Sequence, residues 1–128
     1  MESIERFMVA GQIKPVSHYC HAVRAGDHVW ISGMVGLDAN GTAPVDIVEQ
    51  FELAISNLDA VLSNAGGSVA DIVKISIFLL DIEDRVRINP IRERYFGEHR
   101  PAATLVEVSK LVLPGLKVEI EAEAIVQR

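Results

Sequence analysis

Residues 47–65 constrain this chain more than any other stretch. Ile47, Phe51, Ala54, Ile55, Leu58, Leu62 and Ala65 recur at helical spacing, while Glu49, Gln50, Glu52, Ser56 and Asp59 fall on the other faces. A helix with one apolar stripe has to lie on a second layer that buries it. Gly66-Gly67 ends it, since glycine accepts the left-handed conformation that closes helices.

The flanking segments supply that layer. His28-Val-Trp-Ile-Ser-Gly-Met-Val35 follows the turn Ala25-Gly26-Asp27 and reads as a strand, with His18 to Val23 as its hairpin partner. Asp71 to Leu80, rich in branched residues, reads as a buried strand. A weaker helix lies between Asp81 and Phe96. Pro90 is awkward inside a helix, and Asn89-Pro90 suits an N-cap and first position, so the expected helix starts at Asn89 after a turn. Two strands follow, Ala103 to Lys110 and Lys117 to Ile125, joined through Pro114-Gly115. The order β-β-α-β-α-β-β predicts an α+β fold, a mixed sheet with two helices packed on one face.

Two helices cannot cover both sides of such a sheet. The segment Val73-Lys-Ile-Ser-Ile-Phe-Leu-Leu80 nevertheless looks apolar on both faces. An open apolar face invites association, so a homo-oligomer is expected.

The chain has 128 residues, enough for one hydrophobic core, and shows no repeat or linker; residues 1–128 are expected to form one domain. A net charge of −6, with Lys and Arg scattered among acids, argues against a nucleic-acid partner. The single Cys20 cannot form an internal disulfide. The acidic N-terminus does not resemble a signal peptide, and the apolar run Ile77 to Leu80 is too short to span a bilayer. A cytoplasmic protein with no membrane partner is expected.

Few residues advertise chemistry. No phosphate loop, nucleophile elbow, CxxC or zinc-helix motif is present. Cys20-His21 suggests a nucleophile and base, but neighbours on a strand point to opposite faces. His18, His21, His28 and His99 have no compact metal spacing. In Val118-Glu-Ile-Glu-Ala-Glu-Ala124, alternation puts Glu119, Glu121 and Glu123 on one face. A solvated face is the plain reading. A carboxylate lining a cleft could instead orient water, with burial raising its pKa.

Three C-terminal segments carry a resemblance. They are Pro101-Ala-Ala-Thr-Leu-Val-Glu-Val108, Leu113-Pro114 and Val118-Glu-Ile-Glu-Ala122. Tyr19, Gly26, Ile31-Ser-Gly33, Gln50, Asn57-Leu58, Ala65-Gly66-Gly67, Asn89 and Tyr95-Phe96 extend it along the chain. The pattern resembles the RidA (YjgF/YER057c/UK114) family of enamine/imine deaminases. The resemblance implies a chorismate-mutase-like fold and a homotrimer with pockets at its subunit interfaces. It also implies hydrolysis of a small enamine or imine to a keto compound and ammonia, without cofactor or metal.

By the same resemblance Glu119 positions the water and Tyr19 stands at the pocket rim as the second catalytic group. Ser32 and Gly33 supply backbone contacts and Asn89 supports the wall. The family's carboxylate-gripping arginine is replaced by Ala103, and Leu105 stands where many members have a small or polar residue. Losing a charge-assisted clamp costs about 2–4 kcal/mol of binding. Three readings follow: a substrate other than the usual 2-imino acids, such as an intermediate of aromatic or heterocycle breakdown; a replacement cation, with Arg100 the nearest in sequence; or loss of deamination. The last leaves a non-catalytic trimer that binds small molecules or protects proteins. An endoribonuclease or translation-inhibitor role, also associated with such chains, is disfavoured by the acidic charge.

Overall fold

The computed structural model describes residues 3–127. Helix α1 (Ile47–Asn64) is fixed at both ends by its own sequence. At its start the Asp46 carboxylate accepts the Val48 and Glu49 N–H groups at 3.1 and 3.2 Å, occupying donors that have no partner within the helix. Arg87 holds that carboxylate at 2.8 Å and, with the backbone donors, keeps its pKa below the ordinary value. At the other end Gly66 takes φ +91°. Its N–H reaches the Ser63 carbonyl and that of Gly67 reaches Leu62, the paired bonds of a Schellman closure.

Among the described residues six strands make one sheet: β1 (Ile4–Phe7), β2 (Ala22–Ala25), β3 (His28–Val35), β4 (Ile72–Leu79), β5 (Ala102–Glu107) and β6 (Val118–Ile125). Their order is β1-β2-β3-β6-β4-β5. Only β4 and β5 run parallel, because α2 (Arg85–Phe96) carries the chain from one to the other. Helix α1 buries Phe51, Ala54, Leu58 and Leu62 against Val29, Ile31, Ile75, Ile77, Ile120 and Ala122. This is the mixed sheet with helices on one face that the pattern predicted.

Four expectations need correction. Strand β1 was not foreseen; Ile4-Glu-Arg-Phe7 has no clear alternation and takes its form from pairing with β2. Strand β2 begins at Ala22 rather than His18, so Tyr19 and Cys20 belong to a loop. Helix α2 starts at Arg85 and keeps Pro90 inside it. The carbonyl that Pro90 cannot pair belongs to Val86, an exposed residue where water can reach it. Finally, Gln50 does not lie on a polar face. It is fully buried: its Nε2 donates to the Pro44 and Gly115 carbonyls and its Oε1 accepts the Lys117 N–H.

Alternation sorts the rest of the sheet. Glu119, Glu121 and Glu123 of β6 lie beside Phe78, Ser76 and Lys74 of β4 on the face away from the helices. Trp30, Val73 and Val106 are exposed, Val73 at a bulge in the β4–β6 ladder. Trp30 carries the His28 ring stacked on it at 3.9 Å. This face has apolar and acidic residues but no covering layer among the described residues.

Candidate active site

The site begins with an irregularity in β3. Between Ile31 and Met34 the β3–β6 ladder gains a residue, so Ser32 and Gly33 together oppose Glu121. The bulge turns the backbone at Gly33 toward Glu119. A β-carbon at residue 33 would stand 2.7 Å from Glu119 Cδ, so only glycine leaves room for that carboxylate. Ser32 is held separately: its hydroxyl donates to the Cys20 carbonyl at 2.7 Å, and its N–H reaches the His21 carbonyl.

Glu119 and Gly33 line a narrow cleft of about 50 Å³ together with Tyr19, Lys14, Asn57 and Leu113. One wall is the 8–21 loop and another is the 108–117 loop. Burial pushes the Glu119 carboxyl above the ordinary carboxylate range, and the charge of Glu121 adds to it. Such a group is suited to taking a proton from water and returning it.

The loop wall is fixed by His21, which is buried. Its Nδ1 accepts the Val9 N–H at 2.9 Å, and its Nε2 lies 2.9 Å from the Ile13 carbonyl, which makes Nε2 the protonated nitrogen. His21 is therefore committed to two backbone groups twelve and eight residues away. The neighbouring Cys20 sends its thiol to the Ala22 carbonyl at 3.4 Å, so the two form no nucleophile–base pair. Asn57 donates to the Val35 and Leu37 carbonyls, tying α1 to the chain after β3.

The remaining candidates are elsewhere in the protomer. Asn89 and Arg100 border a second groove with Arg92 and Pro101, where Asn89 donates to Glu93 at 3.0 Å. Burial lowers the pKa of Arg92. Ala103 and Leu105 lie on the edge strand β5 beside Ile75 and Ile77, hence on the helix side of the sheet. Glu119 is on the opposite side. Tyr19, Gly33 and Glu119 thus come together, whereas Asn89 and Arg100 border another groove and Ala103 and Leu105 lie on β5.

The sequence pattern does not point to Lys14; it offers His21 only as a base for Cys20 or a metal ligand, and Asn57 only within the family resemblance. Their positions depend on loop closure, and the one local signal was Pro15 after Lys14, which restricts the preceding residue to an extended backbone. Among the described residues, no group of three or more His, Cys, Asp or Glu stands close enough to hold a metal ion, and no helix is long and apolar enough to cross a membrane.

Comparison with known proteins agrees with this architecture. Residues 9–126 match the family model described as Endoribonuclease L-PSP. A RutC family protein of Pyrococcus abyssi is 37% identical over 113 residues, spanning 87% of this chain and 88% of its own. Escherichia coli TdcF, named a reactive intermediate deaminase, is 34% identical over 126 residues, 95% of each chain. Among solved structures, YyfA of the Rid protein family from Yersinia pestis superposes with a TM-score of 0.90 at 31% identity, covering 97% of this chain and 100% of its own. The crystal structure of TdcF with bound serine gives 0.88 at 30% identity, covering 94% and 98%.

Proposed function

Because the chain belongs to the RidA (YjgF/YER057c/UK114) family, we propose that it is a deaminase-type hydrolase that converts a small enamine or imine to a carbonyl compound and ammonia. The observation that carries the proposal is the Glu119 carboxylate, half-buried, raised in pKa and seated against Gly33 in the cleft. Bound serine in TdcF supports a small, amino-acid-like ligand for a fold of this kind.

The chemistry asks little of such a site. An imine carbon is already electrophilic, so a positioned water and a proton carrier suffice. An enamine first takes a proton from solvent at carbon and so becomes the nitrogen-protonated imine. Ionised Glu119 removes a proton from water as the oxygen bonds to the carbon of the nitrogen-protonated imine, and the C=N electron pair moves to nitrogen to leave a neutral amino group. Protonated Glu119 then delivers its proton to the amino group. The C–N bond breaks, ammonia leaves and the hydroxyl collapses to the carbonyl as its proton passes to Glu119, which gives it up to the departing ammonia. Tyr19 stands in the same cleft to hold the water or the departing amine.

The proposal includes a homotrimer. The exposed sheet face supports it, as does the division of candidate residues within one protomer. Association can bring the edge strand β5 of one copy to the Glu119 cleft of another. Ala103 favours a second reading, a trimer that binds a small molecule without turnover. A coupled assay for 2-iminopropionate hydrolysis, beside an arginine-containing family member, separates the two. Turnover that falls a hundredfold or more in Glu119→Gln supports the hydrolase. Ligand binding without turnover, unchanged in that variant, supports the binder.

A further inference from the structure

Glu119 shares its cleft with a basic residue. Of the described residues lining it, Lys14 alone carries a permanent positive charge, since His21 is committed to two backbone groups. Lys14 forms no ion pair or hydrogen bond through its side chain among the described residues. An exposed lysine with no side-chain partner among the described residues thus borders the cleft that holds Glu119.

Lys14 is also held in place. The Ile13 carbonyl, immediately before it, is bound to buried His21, and Pro15, immediately after, restricts Lys14 to an extended backbone. The Gln12 N–H closes a turn onto the Val9 carbonyl at 3.3 Å. The ammonium thus swings on a flexible stem from a pinned Cα. On its far side the 8–21 loop borders a wider open cleft shared with Arg6 and His18, which leaves the side chain room to move.

We propose that Lys14 receives the carboxylate of the substrate, so that the cleft takes a small 2-imino or 2-enamino acid with its imine carbon turned to the Glu119 water. This assignment rests on the hydrolase reading and deepens it. It takes up the replacement-cation reading of Ala103, with Lys14 in the place of Arg100, which lies in the other groove of the protomer. A lysine makes a point contact where an arginine makes a forked one, so looser discrimination among 2-imino acids is expected.

The test compares the parent with Lys14→Met, Lys14→Arg and Arg100→Met, using 2-iminopropionate generated in place as substrate and pyruvate as a binding probe followed by NMR titration. The expected result is a KM raised tenfold or more in Lys14→Met with kcat changed little, recovery in Lys14→Arg, and no effect of Arg100→Met. Pyruvate affinity should fall by a similar factor in Lys14→Met. Unchanged KM and unchanged pyruvate affinity in Lys14→Met, or the same losses in Arg100→Met instead, would overturn the assignment. A parent that binds pyruvate but hydrolyses no imine removes the hydrolase reading alone. The titration then still decides Lys14, because weaker binding in Lys14→Met upholds the carboxylate contact and equal binding rejects it. A parent that does not bind pyruvate at all rejects it as well.

Discussion

Gly33 and the carboxylate of Glu119 are packed so closely that a β-carbon on residue 33 would lie within 2.7 Å of Glu119 Cδ. The backbone of one strand is thus the floor on which the acid of the next strand rests. Gly33→Ala should push the carboxylate aside, while the fold survives because the far end of a glutamate can move. Displacement of about 1 Å at a reacting group costs roughly a hundredfold in rate. Imine hydrolysis should fall by that order while the thermal midpoint changes by only a few degrees. A variant equal in rate to the parent would remove Glu119 from the chemistry.

The pH dependence follows from the same burial. Folding raises the Glu119 pKa above its ordinary value of 4.5, so the native state favours the protonated acid. Ionised Glu119 therefore costs stability above its folded pKa, and that cost vanishes as pH falls below the unfolded value. Glu119→Gln should be no less heat-stable than the parent at pH 7, and the two should converge in acid. The rate of the parent should rise with pH through an inflection above 4.5, absent in the variant.

Gln50 offers a stability test away from the site. It is buried and joins α1 to the Pro44 carbonyl, the Gly115 carbonyl and the Lys117 N–H. Replacing it with leucine strands two acceptors and a donor, each costing about 1 kcal/mol or more. Gln50→Leu should lose about 2–4 kcal/mol in urea denaturation. The loop ahead of β6 should also gain hydrogen exchange at Lys117.

Arg24 makes a related prediction for the opposite end of α1. Its Nη1 donates to the Ala65 carbonyl at 2.8 Å, Nη2 to Val126 at 2.6 Å and Nε to Gly26 at 2.9 Å, all while the residue is buried. Three carbonyls in three directions need a planar fork, which lysine lacks. Arg24→Met should lower stability by about 2–4 kcal/mol, and Arg24→Lys should recover little of it.

Association is tested on the open sheet face. Trp30 is exposed there, beside Glu123 in the β3–β6 ladder. If that face joins three copies, Trp30→Glu adds a buried carboxylate to an acidic surface and should shift the protein to monomer in sedimentation, with its helical circular dichroism retained. A parent that already sediments as a monomer would remove the trimer from the proposal.

Local order determined much of this molecule. The stripe from Ile47 to Leu62, its Gly66-Gly67 ending and the alternation of β6 are legible because helical and extended backbones repeat every 3.6 and 2 residues, so the burial pattern is written along the chain. Alternation also put Glu119 on a face with Glu121 and Glu123. It could not say which of the three is desolvated, since that depends on the bulge at Ser32–Gly33 and on two loops closing over one of them. The same limit hid Gln50, a polar residue in a buried place because its partners lie 6, 65 and 67 positions away. Strand β1 went unread because four residues with no alternation acquire their form only by pairing. Lys14 reached the cleft through a bond from buried His21 to Ile13, eight residues distant. Periodicity records what each residue does within its own element, and only the tertiary structure decides which distant groups share a cavity and lose their water together.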